Sequence, residues 1–135
     1  VCVRDGRALF AVGASGANHI VPCTMQLAAF ILDYELTLKE AFNLPRIDAG
    51  GRESIRIDPL LDEETLEALG QTFNLEVEQN LVFPKLYSCP SGVYRDPASG
   101  RTHGIGDRMN PVAGAAAEGV FEIPEAHTSS ITLHA

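Results

Sequence analysis

The sequence predicts an α+β fold made of antiparallel strand hairpins with helices grouped on one face. An Asp5-Gly6 pair stands between two short apolar runs, which is typical of a type I′ hairpin because both central residues of that turn need positive φ. Residues 22–34 are apolar nearly all round and long enough for a buried helix. Residues 80–107 are β-like and contain an Asp-Pro-x-x-Gly turn at 96–100. Hairpins combined with helices in this way indicate a mixed α+β arrangement.

The N-terminal part of the chain is predicted to form a hairpin, a glycine-rich turn and a helix. The two strands cover about residues 1–4 and 7–12, and the turn that follows has the sequence GASGAN at 13–18. Pro22 suits the first turn of helix 22–34, where its missing N–H is not needed. Since this helix is apolar on nearly every side, we expect other layers or another chain to cover most of it.

Two shorter helices and four more strands are predicted further along the chain. Thr37 is expected to cap a short helix. An alternating strand at 54–58 precedes a helix with Asp62 as its N-cap and two acidic residues in its first turn. A strand at 75–78 and two antiparallel strands around the Asp-Pro turn complete the predicted order β-β-α-α-β-α-β-β-β.

Composition and charge exclude several classes of function. A chain of 135 residues with 45% hydrophobic content can bury the core of one domain or form part of a larger one. The net charge of −8 comes from 18 acidic and 10 scattered basic residues, which argues against a nucleic-acid partner. No apolar run approaches the length of about eighteen residues that a membrane span needs. Cys2, Cys23 and Cys89 match neither a disulfide framework nor a zinc pattern, and neither a metal site nor a cofactor is predicted.

The turn at 13–18 is the strongest candidate for chemistry in the chain. Gly13 and Gly16 let the backbone approach a ligand closely, and the helix that follows presents unpaired N–H groups at its positive end. Such a turn can bind a carboxylate, a phosphate or a developing oxyanion. On spacing alone, a plain tight turn that joins strand to helix is the favoured interpretation.

A serine nucleophile is a second hypothesis for the same turn. Ser15 stands in a sequence that lacks only the last glycine of the Gly-x-Ser-x-Gly elbow, with His103 as a possible base and Asp96 or Asp107 to orient it. Against this hypothesis, 135 residues are too few for the sheet that usually carries that elbow. The four-residue spacing of His103 and Asp107 is a weak metal signal, and a solvated or turn-stabilising histidine is the favoured interpretation.

An ordered set of motifs resembles the γ-glutamyltranspeptidase family. The strand and turn LFAVGASGANHI are similar to the family's strand followed by Gly-Ser-Pro-Gly-Gly-Ser-Arg-Ile, and the later motifs occur in the family's order. The matching segments are residues 9–20, 38–46 with its Pro-Arg ending, 61–69, 75–78, 106–108 and 114–116. The resemblance covers residues 1–116, and residues 117–135 are predicted to form an irregular or mobile tail.

The resemblance implies part of an αββα N-terminal-nucleophile (Ntn) hydrolase sandwich, namely the C-terminal part of the small subunit. In that family the enzyme cleaves itself, and the new N-terminal threonine attacks a γ-glutamyl amide through an acyl-enzyme. The implied partners are therefore the remainder of the small subunit, the large subunit and a γ-glutamyl substrate. The nucleophilic threonine is not among these residues, so the fragment alone is expected to be inactive. Family members are often periplasmic or secreted, and this segment leaves the location open.

The resemblance also implies a role for two residues of the turn. By position, Gly16 and Ala17 match the paired glycines whose backbone N–H groups form the family's oxyanion hole. Ala17 replaces the second glycine and Ser15 replaces the proline. These departures support an alternative, a non-catalytic Ntn-fold domain that binds or has a structural role and has lost the chemistry.

Overall fold

The computed structural model describes residues 1–82 and 86–115 of the chain. Its strands are β1 (Cys2–Arg4), β2 (Arg7–Ser15), β3 (Ile47–Asp48), β4 (Ser54–Ile57), β5 (Asn74–Val77), β6 (Cys89–Arg95) and β7 (Thr102–Gly106), and its helices are α1 (Ile20–Leu32), α2 (Leu38–Asn43) and α3 (Glu63–Gly70). The predicted α+β order is confirmed, with β3 as an additional short strand. The tail predicted at 117–135 lies outside the described residues. None of the described helices is long and apolar enough to cross a membrane.

The larger sheet is antiparallel, with the strand order β1-β2-β6-β7. The predicted hairpin between β1 and β2 is confirmed, since Asp5 has φ 51° and Gly6 has φ 73°. The hairpin between β6 and β7 is also confirmed: Asp96 Oδ1 accepts a hydrogen bond from Ala98 N at 2.9 Å within the predicted Asp-Pro turn.

Strand β2 is longer than the sequence indicates. It was predicted to end at residue 12, and it continues to Ser15 because the early residues of β6 supply pairing partners: Ala14 pairs with Pro90 and Ser15 pairs with Cys89. Gly13 is therefore a strand residue and not part of the turn. The change of direction is confined to Gly16 and the 3-10 helix Ala17–His19 that leads into α1.

Helices α1 and α2 pack on one face of this sheet and form the core with it. The buried cluster consists of Leu9, Phe10, Cys23, Leu27, Ile31, Leu38, Ala41 and Phe42. The approach of α2 to the sheet is close, because a Cβ at Gly92 would lie 2.9 Å from Phe42 Cζ. Among the described residues α1 buries one stripe only, since Val21 and Met25 on its outer side are 61% and 66% exposed. The expectation that most sides of this helix are covered is not met within this part of the chain.

The opposite face of the larger sheet is only partly covered by the described residues. Ala11 and Val93 pair in register on this face, and Val93 is 40% exposed. The segment that follows β7 crosses part of it, because a Cβ at Gly104 would lie 2.7 Å from Ala115 Cβ. The small residues of the predicted Gly-Ala-Ala run therefore fit closely against glycines of β7, except for Ala116, which lies outside the described residues.

The smaller sheet has the order β3-β4-β5 and differs from the prediction in one respect. Strands β3 and β4 are antiparallel, whereas β4 and β5 are parallel, because α3 carries the chain back across the sheet between them. The predicted N-cap of α3 is confirmed, as Asp62 Oδ1 accepts a hydrogen bond from Thr65 N at 2.8 Å. Gln26 of α1 joins this sheet to the larger one by donating to Ile47 O at 2.7 Å and accepting from Ile47 N at 2.9 Å.

Candidate functional site

The turn at the end of β2 has a backbone conformation that few residues can adopt. Gly16 has φ 140° and ψ 32°, and Ala17 has φ 52°, in the small left-handed region that is allowed for a residue with a Cβ. Gly16 O accepts a hydrogen bond from His19 N at 3.0 Å, and Ala17 O accepts one from Ile20 N. Both predicted site residues are exposed and stand side by side at the start of the helix.

The residues after Gly16 begin a helix, and the start of a helix has backbone N–H groups without acceptors in that helix. These groups carry the positive end of the helix dipole. Here those groups belong to the start of the 3-10 helix Ala17–His19, which runs directly into α1. A glycine is needed before them, because a Cβ at Gly16 would lie 3.0 Å from both Cα and Cβ of Ser88.

Two side chains that follow the turn attach it to the end of β3 and to the loop after it. Asn18 Nδ2 donates a short hydrogen bond to Gly50 O. His19 Nδ1 lies 2.7 Å from Asp48 Oδ2. The turn thus belongs to the larger sheet by its chain connection and contacts the smaller sheet through its side chains.

A buried ion pair lies behind this contact. Arg56 Nη1 lies 3.2 Å from Asp48 Oδ2 and donates a hydrogen bond of 2.6 Å to Leu86 O. The side chains of Asp48 and Arg56 are each 4% exposed, so water screens the pair little. Neither residue was predicted from the sequence. The alternation in β4 puts Ile55 and Ile57 on the inward face and Arg56 on the opposite face, whereas the structure buries both Arg56 and Ile57.

A second buried arginine lies close to the first. Arg46 Nη1 donates to Cys23 Sγ at 3.2 Å, and its Nη2 lies 3.8 Å from Asp107 Oδ1. Nearby, the Tyr87 hydroxyl donates to Glu78 O at 3.0 Å. Burial, followed by the negative charge of Asp58, raises the pKa of Tyr87, so this residue stays a neutral hydrogen-bond donor.

The hypothesis of a serine nucleophile at Ser15 is wrong. Ser15 of β2 pairs with Cys89 at the start of β6. His103 of β7 pairs with Tyr94 near the end of β6, and Tyr94 in turn pairs with Phe10 of β2. Five residues of strand separate Phe10 from Ser15, a distance of about 17 Å. Asp96 accepts hydrogen bonds within its own turn beyond the far end of β6, and Asp107 lies 3.8 Å from Arg46.

The metal signal at His103 is also not supported. Within residues 1–82 and 86–115, no three His, Cys, Asp or Glu side chains are grouped so that they could hold a metal ion. The pKa of Asp96 is lowered chiefly by the hydrogen bond from the Ser99 hydroxyl and then by the one from Ala98 N. Capping its own turn is therefore a sufficient explanation for this carboxylate.

One curated protein matches about half of the chain in sequence. No family model matches the chain. The Acylase ACY 1 proenzyme of Pseudomonas sp. (strain V22) is 30% identical over 69 residues, a match that covers 51% of this chain and 12% of the proenzyme. The chain therefore spans only a small part of this curated relative.

Two solved structures are similar over most of the chain. A Helicobacter pylori gamma-glutamyltranspeptidase mutant has a TM-score of 0.69 at 15% identity, covering 82% of this chain and 59% of that one. Cephalosporin acylase from Bacillus halodurans has a TM-score of 0.74 at 19% identity, covering 87% of this chain and 22% of that one. The chain thus has the mixed α+β fold of the N-terminal-nucleophile hydrolases. More narrowly, its fold is that of a segment shared by gamma-glutamyltranspeptidases and acylases, so the predicted resemblance is confirmed at the level of the fold.

Proposed function

We propose that this chain is the C-terminal part of the small subunit of a γ-glutamyltranspeptidase-like enzyme. The enzyme transfers or hydrolyses γ-glutamyl groups of glutathione-like substrates through an acyl-enzyme on an N-terminal threonine that this chain does not contain. The proposal is supported by the fold, by the order of the sequence motifs and by the shape of one turn. The full-length protein that carries this chain is called the parent protein below.

The observation that carries the proposal is the conformation of Gly16 and Ala17. Attack on the γ-glutamyl carbonyl turns its oxygen into an oxyanion, and preorganised N–H donors stabilise that charge more than the neutral carbonyl. In the proposed mechanism the backbone N–H groups of these two residues are the donors, and the amine of the threonine is the base. The left-handed φ of 52° at Ala17 supports this role, because an alanine retains the backbone shape that a glycine adopts easily.

The partners in this proposal are the remainder of the small subunit and the large subunit. Two apolar surfaces that the described residues leave uncovered are consistent with such partners: the outer side of α1 at Val21 and Met25, and the sheet face at Val93. Apolar surfaces of this kind usually pack against further protein. Without those partners the chain has neither the nucleophile nor a closed substrate site, and it is expected to be inactive.

A non-catalytic Ntn-fold domain is the second candidate. The observation that favours it is the loss of two family residues at the turn, where Ser15 and Ala17 stand in place of proline and glycine. In that case the parent protein would keep the turn as a structural element. A binding or structural role would then account for the chain without any acyl transfer.

The test uses the purified parent protein and a γ-glutamyl anilide, with and without a dipeptide acceptor. We expect turnover, and we expect Gly16→Ala to lower kcat by about 100- to 1000-fold because the oxyanion donors move. Gly100→Ala is the matched control: Gly100 also has positive φ, at 70°, but lies in the β6–β7 hairpin with open space around its Cβ position. It should leave kcat unchanged.

The outcomes separate the candidates. A folded parent protein without turnover on γ-glutamyl anilides and on N-acyl cephalosporins would favour the non-catalytic domain. Turnover of the cephalosporin amide alone would keep the acyl-transfer mechanism and replace the γ-glutamyl group as the substrate. Equal kcat in the Gly16→Ala and Gly100→Ala variants would contradict the proposal that the turn supplies the oxyanion donors.

A further inference from the structure

We propose that His19 and Asp48 form a positioning pair that holds the oxyanion turn in its active shape. This inference rests on the proposed function and deepens it by assigning roles to residues that the family resemblance does not single out. Neither side chain needs to touch substrate. Both act through the backbone of Gly16 and Ala17.

Two consecutive side chains attach the turn to the end of β3 and to the residues that follow it. Asn18 donates to Gly50 O, and His19 Nδ1 lies 2.7 Å from Asp48 Oδ2. These residues immediately follow Ala17, whose left-handed backbone is disfavoured for a residue with a Cβ. A segment anchored at two neighbouring residues cannot relax that conformation without breaking both contacts.

Gly50, in the loop after β3, lies close to His19. A Cβ at Gly50 would lie 2.8 Å from His19 Nδ1 and 3.2 Å from Asp48 Oδ1. Any larger residue at position 50 would therefore push the imidazole away from the carboxylate. The loop and the turn fit each other as the positioning role requires.

The carboxylate of Asp48 is itself held in place. Arg56 lies 3.2 Å from Asp48 Oδ2 and donates to Leu86 O, two residues before Ser88. The backbone and Cβ of Ser88 in turn lie against Gly16, at 3.0 Å from the position of a Cβ there. Asp48 therefore holds the turn on one side and Ser88 on the other, and Arg56 connects the two.

Stability alone does not account for this network. His19 Nδ1, Asp48 Oδ1, Arg56 Nε and Ser88 Oγ are buried and have no hydrogen-bond partner among the described residues, so the 2.7 Å contact between His19 Nδ1 and Asp48 Oδ2 is a close polar contact without hydrogen-bond geometry. Buried polar atoms without partners are costly, and a buried ion pair can often be replaced by apolar residues without loss of stability. A role in positioning gives a reason for charged residues at these places.

The kinetic test compares variants of the parent protein. Asp48→Ala and His19→Ala should each lower kcat on the order of 10- to 100-fold with little change in KM, because a displacement of about 1 Å at a reacting group costs that much. The double variant should be no slower than either single variant, since the pair acts as a unit. His19→Asn keeps a polar side chain that can contact Asp48, so it should recover more of kcat than His19→Ala does.

The matched control is Asp58→Ala. Asp58 is a carboxylate of similar burial, at 3% exposure, and its described contacts run to Leu60 N at 3.0 Å and Arg108 at 3.8 Å. Its loss should lower stability and leave kcat of the folded protein unchanged. Equal loss of kcat in the Asp48→Ala and Asp58→Ala variants would overturn the proposal, as would additive losses in the double variant.

Amide hydrogen exchange separates this proposal from the proposed function. The N–H groups of His19 and Ile20 donate to Gly16 O and Ala17 O, so their protection reports the shape of the turn without any substrate. Asp48→Ala should accelerate exchange of these two amides at least tenfold more than Asp58→Ala does. Unchanged protection would overturn the positioning role even in an active enzyme. Faster exchange in a parent protein without turnover would support the positioning role of His19 and Asp48 and would contradict the proposed enzymatic function.

Discussion

The two sheets of this molecule are stabilised in different ways. The larger sheet and its helices bury an apolar core in which Leu27 is 0% and Phe42 is 3% exposed. The smaller sheet buries Ile57 at 1%, but its interior also holds Arg56 and Asp58, each at 3%. Helix α3 contributes no buried residue at all. The larger sheet resembles an ordinary hydrophobic core, whereas the smaller one depends on paired charges.

This difference explains where the candidate site lies. The turn at Gly16 is part of the well-packed region, and Asp48 at the end of β3, which contacts His19 after the turn, is part of the charged region. Packing between apolar side chains is non-directional, whereas ion pairs and hydrogen bonds specify distances and angles. The junction therefore combines a rigid base with directional contacts, which is what the positioning of backbone donors requires.

The largest expected effect comes from breaking the charged region. Arg56→Ala leaves Asp48 buried without its cation, and removing one member of a buried pair costs about 3–5 kcal/mol of unfolding free energy. Chemical denaturation of the parent protein measures this loss. Arg108→Ala is the control, because its side chain is 32% exposed and lies 3.8 Å from Asp58. It should cost clearly less, because water reaches the Arg108 guanidinium and its 3.8 Å contact with Asp58 is long. Similar losses in the two variants would contradict the distinction between a buried and a screened pair.

The next effect concerns the apolar region. Leu27→Ala should cost about 2–5 kcal/mol, because Leu27 is 0% exposed and the helix cannot collapse into the cavity against a rigid sheet. Leu66→Ala in α3 removes the same atoms from a half-buried position and should cost much less. Denaturation curves of both variants measure the difference. If Leu66→Ala proved as costly as Leu27→Ala, α3 would have a core that the described residues do not show.

Local signals in the sequence predicted most of the elements. The Asp5-Gly6 turn and the caps at Thr37 and Asp62 were predictable because their chemistry depends on neighbouring residues. The end of β2 was not, since Gly13 permits both strand and turn and the decision comes from pairing with distant residues of β6. The parallel pairing of β4 and β5 is likewise a tertiary property, and alternation along one strand does not show the direction of its neighbour.

The candidate site was predictable only in part. The position of Gly16 and Ala17 followed from the family motif. The buried pair of Asp48 and Arg56 did not, because their separation of eight residues has no local signature and their contact forms only when the β3–β4 hairpin closes. Charge partners across a sheet have to be seen in the structure.

A smaller effect compares the caps of the two regions. The pKa of Glu40 is lowered chiefly by the side chain of Thr37, and the pKa of Asp62 is lowered chiefly by the backbone N–H of Thr65. Thr37→Ala removes the larger cause for Glu40 and keeps the backbone N–H of residue 37, whereas Thr65→Ala removes only the smaller cause for Asp62, so the pKa of Glu40 should recover by the larger fraction. Both carboxylates have lower pKa values when folded, so their contribution is present at neutral pH and is lost as the pH falls through the lowered pKa. NMR titration of the carboxyl carbons measures both shifts, and equal recovery in the two variants would contradict the assigned causes.

The smallest expected effect is at the turn where the two regions meet. Ala17→Gly relieves a left-handed conformation that costs roughly 1–2 kcal/mol, but it also gives the unfolded chain more freedom, which costs about 0.4–1 kcal/mol. The unfolding free energy should therefore change by less than about 1.5 kcal/mol and should rise. Ala8→Gly lies at an exposed position of β2 and relieves no strain. It only gives the unfolded chain more freedom, so it should lower the unfolding free energy. If both substitutions lowered stability equally, the φ of 52° at Ala17 would carry no strain, and the turn would need no positioning pair to hold it.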